Sequence, residues 1–376
     1  MVLPVSRVGV AACGQTVLSP SWRSAQHIEL IYDAVRLTLV GTPFTIADVD
    51  FVIDCGSDVL DGRSISNCGF LGAMGAHHKE ESRVEDDGLF GVFYAWQKIL
   101  SGHSDVGLVI AYSKPSESDV DMFWATQTEP FFQRPVGLDN VVASALQAQQ
   151  YLERTGTSHE AFASVAAHDW ANAASNPRVD VERAPTEAEI AASAETAPPL
   201  TEATISRYVD GAAATLLVSE RIARKLRLDP VWILGMGSAM DEHMLGAREP
   251  GVLAGCVNAG DSAFRIAQRD RAEVDLVEVS APSAAGELMA LEALGLAADG
   301  EGASLFADSG VVVNPSGGAL PADPLVATGL IRFDEAALQL FGTAGGVQVD
   351  DPRVALVHGS SGVGMQNTCV ALLGVD

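Results

Sequence analysis

Val313-Asn314-Pro315-Ser316-Gly317-Gly318, with Ala327-Thr328-Gly329 after it, is the stretch of this chain whose residue order is most specific. Around it stand three more patterned segments: Asn176-Pro177-Arg178, Val209-Asp210-Gly211-Ala212-Ala213-Ala214 and Gly359-Ser360-Ser361-Gly362-Val363-Gly364. Short β-rich runs such as Asp50-Phe51-Val52-Ile53-Asp54 and Val106-Gly107-Leu108-Val109-Ile110-Ala111-Tyr112 alternate with amphipathic stretches, the pattern of strand-helix-strand units in mixed or parallel sheets. The alternation returns at Val231-Trp232-Ile233-Leu234-Gly235, at Val274 to Val279 and at Val354-Ala355-Leu356-Val357-His358, so the pattern alone predicts two similar halves.

The four segments, in their order along the chain, resemble the thiolase superfamily. The first is similar to that family's Asn-Pro-Ser-Gly-Gly…Gly-His-Pro…Ala-Thr-Gly stretch, and the others to its Asn-Pro-Arg loop, its Ser-Asp-Gly-Ala-Ala segment and its C-terminal glycine loop. Glu278-Val279-Ser280-Ala281-Pro282-Ser283, then Leu291-Glu292-Ala293-Leu294-Gly295-Leu296, sits where the lipid-transfer (SCP2-type) branch carries Glu-Val-His-Asp-Cys-Phe. The resemblance implies an α/β thiolase-like fold: two pseudo-symmetric αβα halves forming a five-layer αβαβα core with an inserted loop domain. The halves are expected at 1–114 with 205–228 and at 229–376. The polar, Ala- and Pro-rich residues 115–204, with the acidic run Pro185-Thr186-Glu187-Ala188-Glu189, are expected to form the loop domain over an acyl-CoA pocket, or else a surface insertion without a ligand role.

Length and composition fit such a body. The chain has 376 residues, enough to bury a large core in more than one lobe, with 48% hydrophobic and 19% charged residues. Its formal charge of −26 repels phosphate backbones and anionic lipid surfaces, so nucleic acid and membrane are excluded as partners in favour of proteins and small molecules. Five scattered cysteines without a Cys-x-x-Cys pair read as reduced thiols of a cytoplasmic protein. The N-terminus lacks the basic and apolar regions of a signal peptide, and no apolar run approaches the ~20 residues that span a bilayer.

The residues expected to carry chemistry have changed. Leu89, Val92, Phe93, Trp96, Ile99 and Leu100 recur at helical spacing, so a helix begins near Gly88. The resemblance puts the thiolase's nucleophilic cysteine at Gly88, where a helix N-terminus would favour a thiolate; glycine carries no acyl group. Asp86 and Asp87 before it are expected to cap the helix rather than to catalyse. Ser280 replaces one family histidine, and Asp323, in Ala322-Asp323-Pro324, replaces that of Gly-His-Pro. An ionised aspartate accepts hydrogen bonds only, so the family's oxyanion site is not rebuilt; buried, Asp323 would act as acid or base, and its alternative is to close the turn before Pro324. His358 falls at the family's C-terminal cysteine position and either exchanges protons with a substrate carbon or is a core histidine. Ser360 and Asn314 are implied substrate-binding positions. Arg178 offers a cation for coenzyme A or is a solvated loop arginine. His77-His78 lacks a spaced third ligand and is a polar loop rather than a metal site, and Cys68 is a remote candidate for a displaced nucleophile.

No resident cofactor or metal is implied; a coenzyme A thioester is the implied ligand. The leading expectation is a non-catalytic partner subunit of a heteromeric thiolase or aldolase complex in lipid or steroid acyl-CoA degradation, forming a homo- or heteromeric dimer or tetramer with a thiolase-like chain. The alternatives are a retro-aldolase acting on a β-hydroxyacyl-CoA through Asp323 and His358, with a zinc-binding OB-fold partner; an acyl-CoA acetyltransferase with its nucleophile from elsewhere; and a passive lipid-CoA carrier.

Overall fold

A computed structural model describes residues 7–249, 251–307 and 310–376; the segment Met1 to Ser6, bearing most of the expected leaderless N-terminus, lies outside the described residues. The first half runs β1 (Val8–Gln15), α1 (His27–Leu39), β2 (Phe51–Cys55), α2 (Leu71–Met74), β3 (Glu80–Val84), α3 (Gly88–Leu100) and β4 (Val106–Ser113). Next come α4 (Val120–Gln127), α5 (Asn140–Thr155), α6 (Glu160–Ser175), α7 (Glu187–Ala191) and the hairpin β5 (Glu195–Ala197) and β6 (Leu200–Thr201). The chain then returns through β7 (Gly211–Ser219) and α8 (Glu220–Leu226). The second half follows as β8 (Val231–Met240), α9 (Ala254–Ala267), β9 (Leu276–Val279), α10 (Ala284–Ala293), β10 (Val312–Val313), α11 (Thr328–Phe341), β11 (Val354–Ser361) and β12 (Asn367–Gly374).

Among the described residues one sheet has the order β10-β9-β11-β12-β8-β1-β7-β4-β2-β3. Its two halves repeat one wiring. β2 pairs parallel with β3 and β4 as β9 does with β10 and β11, and β4–β7 and β11–β12 are the matching antiparallel pairs. The halves meet edge to edge through only two residue pairs, Gly9 with Trp232 and Val10 with Val231. β4 and β7 are buried along their whole length, which is why they read as unbroken apolar runs rather than as alternations.

Three clusters of buried side chains fill the spaces between layers. One lies between α1 and the first half-sheet, one between α9, α10 and the second, and the central one takes side chains from both half-sheets, α3 and α11. In α3 the buried Leu89, Val92, Ala95, Trp96 and Ile99 share one helical face, each such large side chain contributing about 1.5–3 kcal/mol. Residues 115–204 supply no strand to the main sheet; α5 and α6 pack on α10, outside the second half. No helix among the described residues is long and apolar enough to cross a membrane.

Because α11 lies in the middle layer, its charged residues are buried with its apolar ones. Arg332, fully buried, donates through Nη1 to Ser316 Oγ at 2.5 Å and lies 3.4 Å from Glu278 Oε2. Ser316 in turn donates its N–H (3.0 Å) and hydroxyl (2.6 Å) to Glu278. Glu335 is held by Arg178, 2.8 Å from Nε and 2.5 Å from Nη2.

Candidate functional site

The N-termini of α3 and α11 meet at the floor of a cavity of about 380 Å³. Asp87 joins the two helices. Its Oδ1 caps α3 by accepting the Leu89 N–H (3.0 Å), and its Oδ2 accepts the Gly329 N–H of α11 (2.7 Å). Gly329 is required here, since a Cβ at this position would stand 1.8 Å from Asp87 Oδ1. Burial pushes the Asp87 carboxyl up to about 8, against the two N–H groups that pull it down. Asp86, also on the cavity, accepts from Asn367 Nδ2 (3.2 Å) and from the Ser361 hydroxyl, and burial raises its carboxyl too.

Asp323 lines the same cavity and is 7% exposed. Its Oδ1 accepts the Leu325 N–H at 2.8 Å, holding Leu325 at φ 48°, a left-handed conformation that costs a branched residue on the order of 1 kcal/mol or more. The turn-closing role is therefore present, and the Ser206 side chain also acts on this carboxyl. Burial raises this carboxyl to about 7. Ser280 and Ser360 also line the cavity, tied by the Ser360 hydroxyl donating to the Ser280 carbonyl at 2.9 Å. The inserted segment forms one wall through Phe123, Trp124, Thr126, Gln127 and Asn140. Trp124 Nε1 donates to Tyr208 Oη at 3.0 Å, fixing that wall to the segment bearing Asp323 through the isolated Tyr208–Asp323 bridge.

Five expected site residues lie elsewhere. Gly88 does not face the cavity: a Cβ there would meet Leu330 Cβ at 2.6 Å and Ala111 Cβ at 2.9 Å, inside the central layer. Position 88 thus cannot present a nucleophile, and the residues of this segment that reach the cavity are Glu85, Asp86 and Asp87. Gly88→Cys is expected to yield no acyl-transfer activity and to lose about 1–3 kcal/mol in urea unfolding through overpacking. His358 is fully buried and does not line the cavity. On β11 it shares a face with Val354 and Leu356, which belong to the outer α9–α10 cluster, and burial lowers its imidazole to about 4. Arg178 is committed to Glu335 and to the Ala344 carbonyl. Asn314, buried at φ 42°, accepts the Val279 N–H (2.7 Å) and donates to Glu287 (2.8 Å); it ties strands together. Cys68 is exposed in a short turn, also off the cavity.

Sequence reasoning passed over Glu85 and Thr328. Glu85 Oε1 accepts the Asp58 N–H at 2.6 Å, and its Oε2 is 3.6 Å from Arg83 Nε. Thr328, in the Ala-Thr-Gly segment, is 4% exposed, lines the cavity and has an unpartnered hydroxyl. Together these groups can move a proton between carboxyls of near-neutral pKa and offer one free hydroxyl donor; none is a thiol or an imidazole in contact with those carboxyls.

The buried carboxyls carry a pH signature. Asp87, Asp323 and Glu278, raised to about 8, 7 and 7, stay protonated in the folded chain where the unfolded chain has released its protons. The stability they provide is full below the ordinary carboxylate range and is lost as pH rises through about 7–8. His358 acts oppositely, losing stability as pH falls from the ordinary imidazole range through about 4. The thermal midpoint is therefore expected to rise when pH is lowered from about 8.5 to about 6.5, above the reach of His358, as followed by calorimetry.

The model of a family described as "Thiolase C-terminal domain-like" matches residues 237–374. An acetyl-CoA acetyltransferase of Methanothermobacter thermautotrophicus is 30% identical over 275 residues, 71% of this chain and 72% of the relative. Sterol carrier protein 2 of Gallus gallus is 25% identical over 379 residues, 94% of this chain and 69% of that one. In three dimensions the chain is similar to a solved structure titled "Ltp2-ChsH2(DUF35) aldolase", with a TM-score of 0.80 at 22% identity, covering 100% of this chain and 99% of that one. With the paired half-sheets and the two buried helices between them, these likenesses place the chain in a family: it belongs to the thiolase superfamily.

Proposed function

We propose that the chain is a carbon–carbon lyase of the retro-aldol type, acting on a β-hydroxyacyl coenzyme A thioester without a covalent acyl intermediate. One observation carries this reading: the cavity at the α3 and α11 N-termini presents carboxyls that burial holds near neutrality, Asp323 and Asp87, and among its lining residues presents no thiol. In the reaction the Asp323 carboxylate takes the proton of the β-hydroxyl. The O–H electron pair becomes the C=O bond of the departing aldehyde or ketone, and the Cα–Cβ pair remains on the thioester as an enolate. The Thr328 hydroxyl donates a hydrogen bond to the enolate oxygen, and Asp323 returns its proton to Cα. Asp87, protonated at neutral pH, keeps negative charge away from the enolate, as a neutral carboxylic acid can. His358 has no part in it.

The protonation of Cα gives a test that needs no knowledge of the departing carbonyl compound. By microscopic reversibility the protein exchanges the α-protons of propionyl-CoA in D2O, read by mass spectrometry. Exchange no faster than in buffer, for the chain alone and with a co-expressed partner, would sink the lyase reading.

A second reading, the non-catalytic partner subunit, is favoured by Asp87 itself. That carboxyl occupies the N–H groups of both helix termini, which would otherwise serve an oxyanion. A multi-chain setting fits either reading, because the similar aldolase structure is named for two components; a zinc-binding OB-fold protein or a thiolase-like chain is the partner class we propose.

A further inference from the structure

The carboxylates and the apolar wall of this cavity also bear on which acyl groups it accepts. Glu85, Asp86, Asp87 and Asp323 line it, and no lysine or arginine does among the described residues; the imidazole on the lining, His243, stands 3.4 Å from Gln366 Oε1 through Nδ1. The guanidiniums bonded to its borders are already committed. Arg83, next to Glu85, is within 4 Å of carboxylate oxygens of Asp54, Asp58 and Asp61 as well. Arg248, bordering the glycine loop, donates through Nη1 to the Gly364 carbonyl (2.8 Å) and through Nη2 to that of Val363 (3.0 Å). On the same lining, Phe123, Leu325 and Val326 pack into an apolar cluster. The buried Thr328 hydroxyl, also on the lining, is unpartnered and needs only a neutral oxygen.

We infer that this site is specific for acyl groups that are uncharged beyond the thioester, apolar apart from their hydroxyl, and that it rejects acyl groups bearing a free carboxylate. The inference rests on the cavity being an acyl-CoA site, as proposed above. A substrate carboxylate would enter beside the Glu85 and Asp86 carboxyl groups with no lysine or arginine to receive it, losing its water without compensation, whereas an alkyl group meets the Phe123 side of the cavity.

Calorimetric titration of the full chain with two non-cleavable coenzyme A thioethers tests it. One carries a branched alkyl group, the other an alkyl group of equal length ending in a carboxylate. Both bear the same phosphates, so the general repulsion from an acidic chain cancels between them. The neutral thioether is expected to bind at least about tenfold more tightly, and the gap is expected to narrow in Glu85→Gln, or in Asp86→Asn should the first variant not fold. Equal binding, or a preference for the carboxylate, overturns the specificity while leaving the acyl-CoA site standing. A gap that persists undiminished in the folded variants overturns its assignment to these acids, and binding of neither thioether overturns the acyl-CoA site and the specificity together.

Discussion

Asp323→Asn is expected to slow α-proton exchange on propionyl-CoA by about 10²- to 10⁴-fold, the usual contribution of a positioned acid–base group. The substitution separates the two tasks of this residue. Asparagine still presents an Oδ1 to the Leu325 N–H, so the left-handed turn at Leu325 and the cavity wall it shapes are retained. It cannot take or return a proton, so chemistry falls while the fold stays. Binding of the neutral thioether should change little, which places the loss in the rate rather than in the affinity. A variant that exchanges α-protons as fast as the parent would leave Asp323 with its turn alone, and would move the weight to the non-catalytic subunit.

Arg332→Met is expected to cost about 3–5 kcal/mol, the penalty for leaving a buried carboxylate without its counter-ion. Glu278 then keeps only the N–H and hydroxyl of Ser316 in a fully buried setting. Already raised to about 7 with Arg332 present, its carboxyl rises further without it. The sign follows: the folded variant escapes the penalty by protonating Glu278, so the deficit is greatest at alkaline pH and shrinks as pH falls toward the ordinary carboxylate range. The double variant Arg332→Met with Glu278→Gln should recover part of the loss at high pH. Urea unfolding at two pH values measures both; a pH-independent deficit would show that Arg332 contributes packing rather than charge.

Much of the architecture was legible because it rests on local order. The repeated β-rich runs are the strands of two equivalent half-sheets, and the apolar spacing after Gly88 is the buried face of α3. The capping role expected for the acids before Gly88 belongs to Asp87, and the turn expected at Asp323 is there with its carboxyl facing the cavity. What could not be read depends on direction and on distant partners. Position 88 begins a helix, but whether its Cβ points to a cavity or to Leu330 depends on how α11 packs against α3. Arg178 looked available because Glu335, its partner, lies 157 residues away in sequence. For His358 the signal was present: strand parity puts it with Val354 and Leu356 rather than with Ala355 and Val357. Thr328 carried no signal beyond its motif, since an unpartnered hydroxyl is a property of the packed site.

The clasp made by Asp87 limits how alike the two halves can be. α3 and α11 are equivalent helices, and the residue preceding α3 is Asp87 whereas the residue preceding α11 is Ala327. A carboxyl that bonds the N-termini of both helices can be supplied from one side only. Were each repeat to bring its own, two acids would compete for the same pair of N–H groups. A chain descended from duplication must therefore have diverged here, and a protein engineered by fusing two copies of the first half would carry its mismatch at this place, however well the strands of the copies agreed.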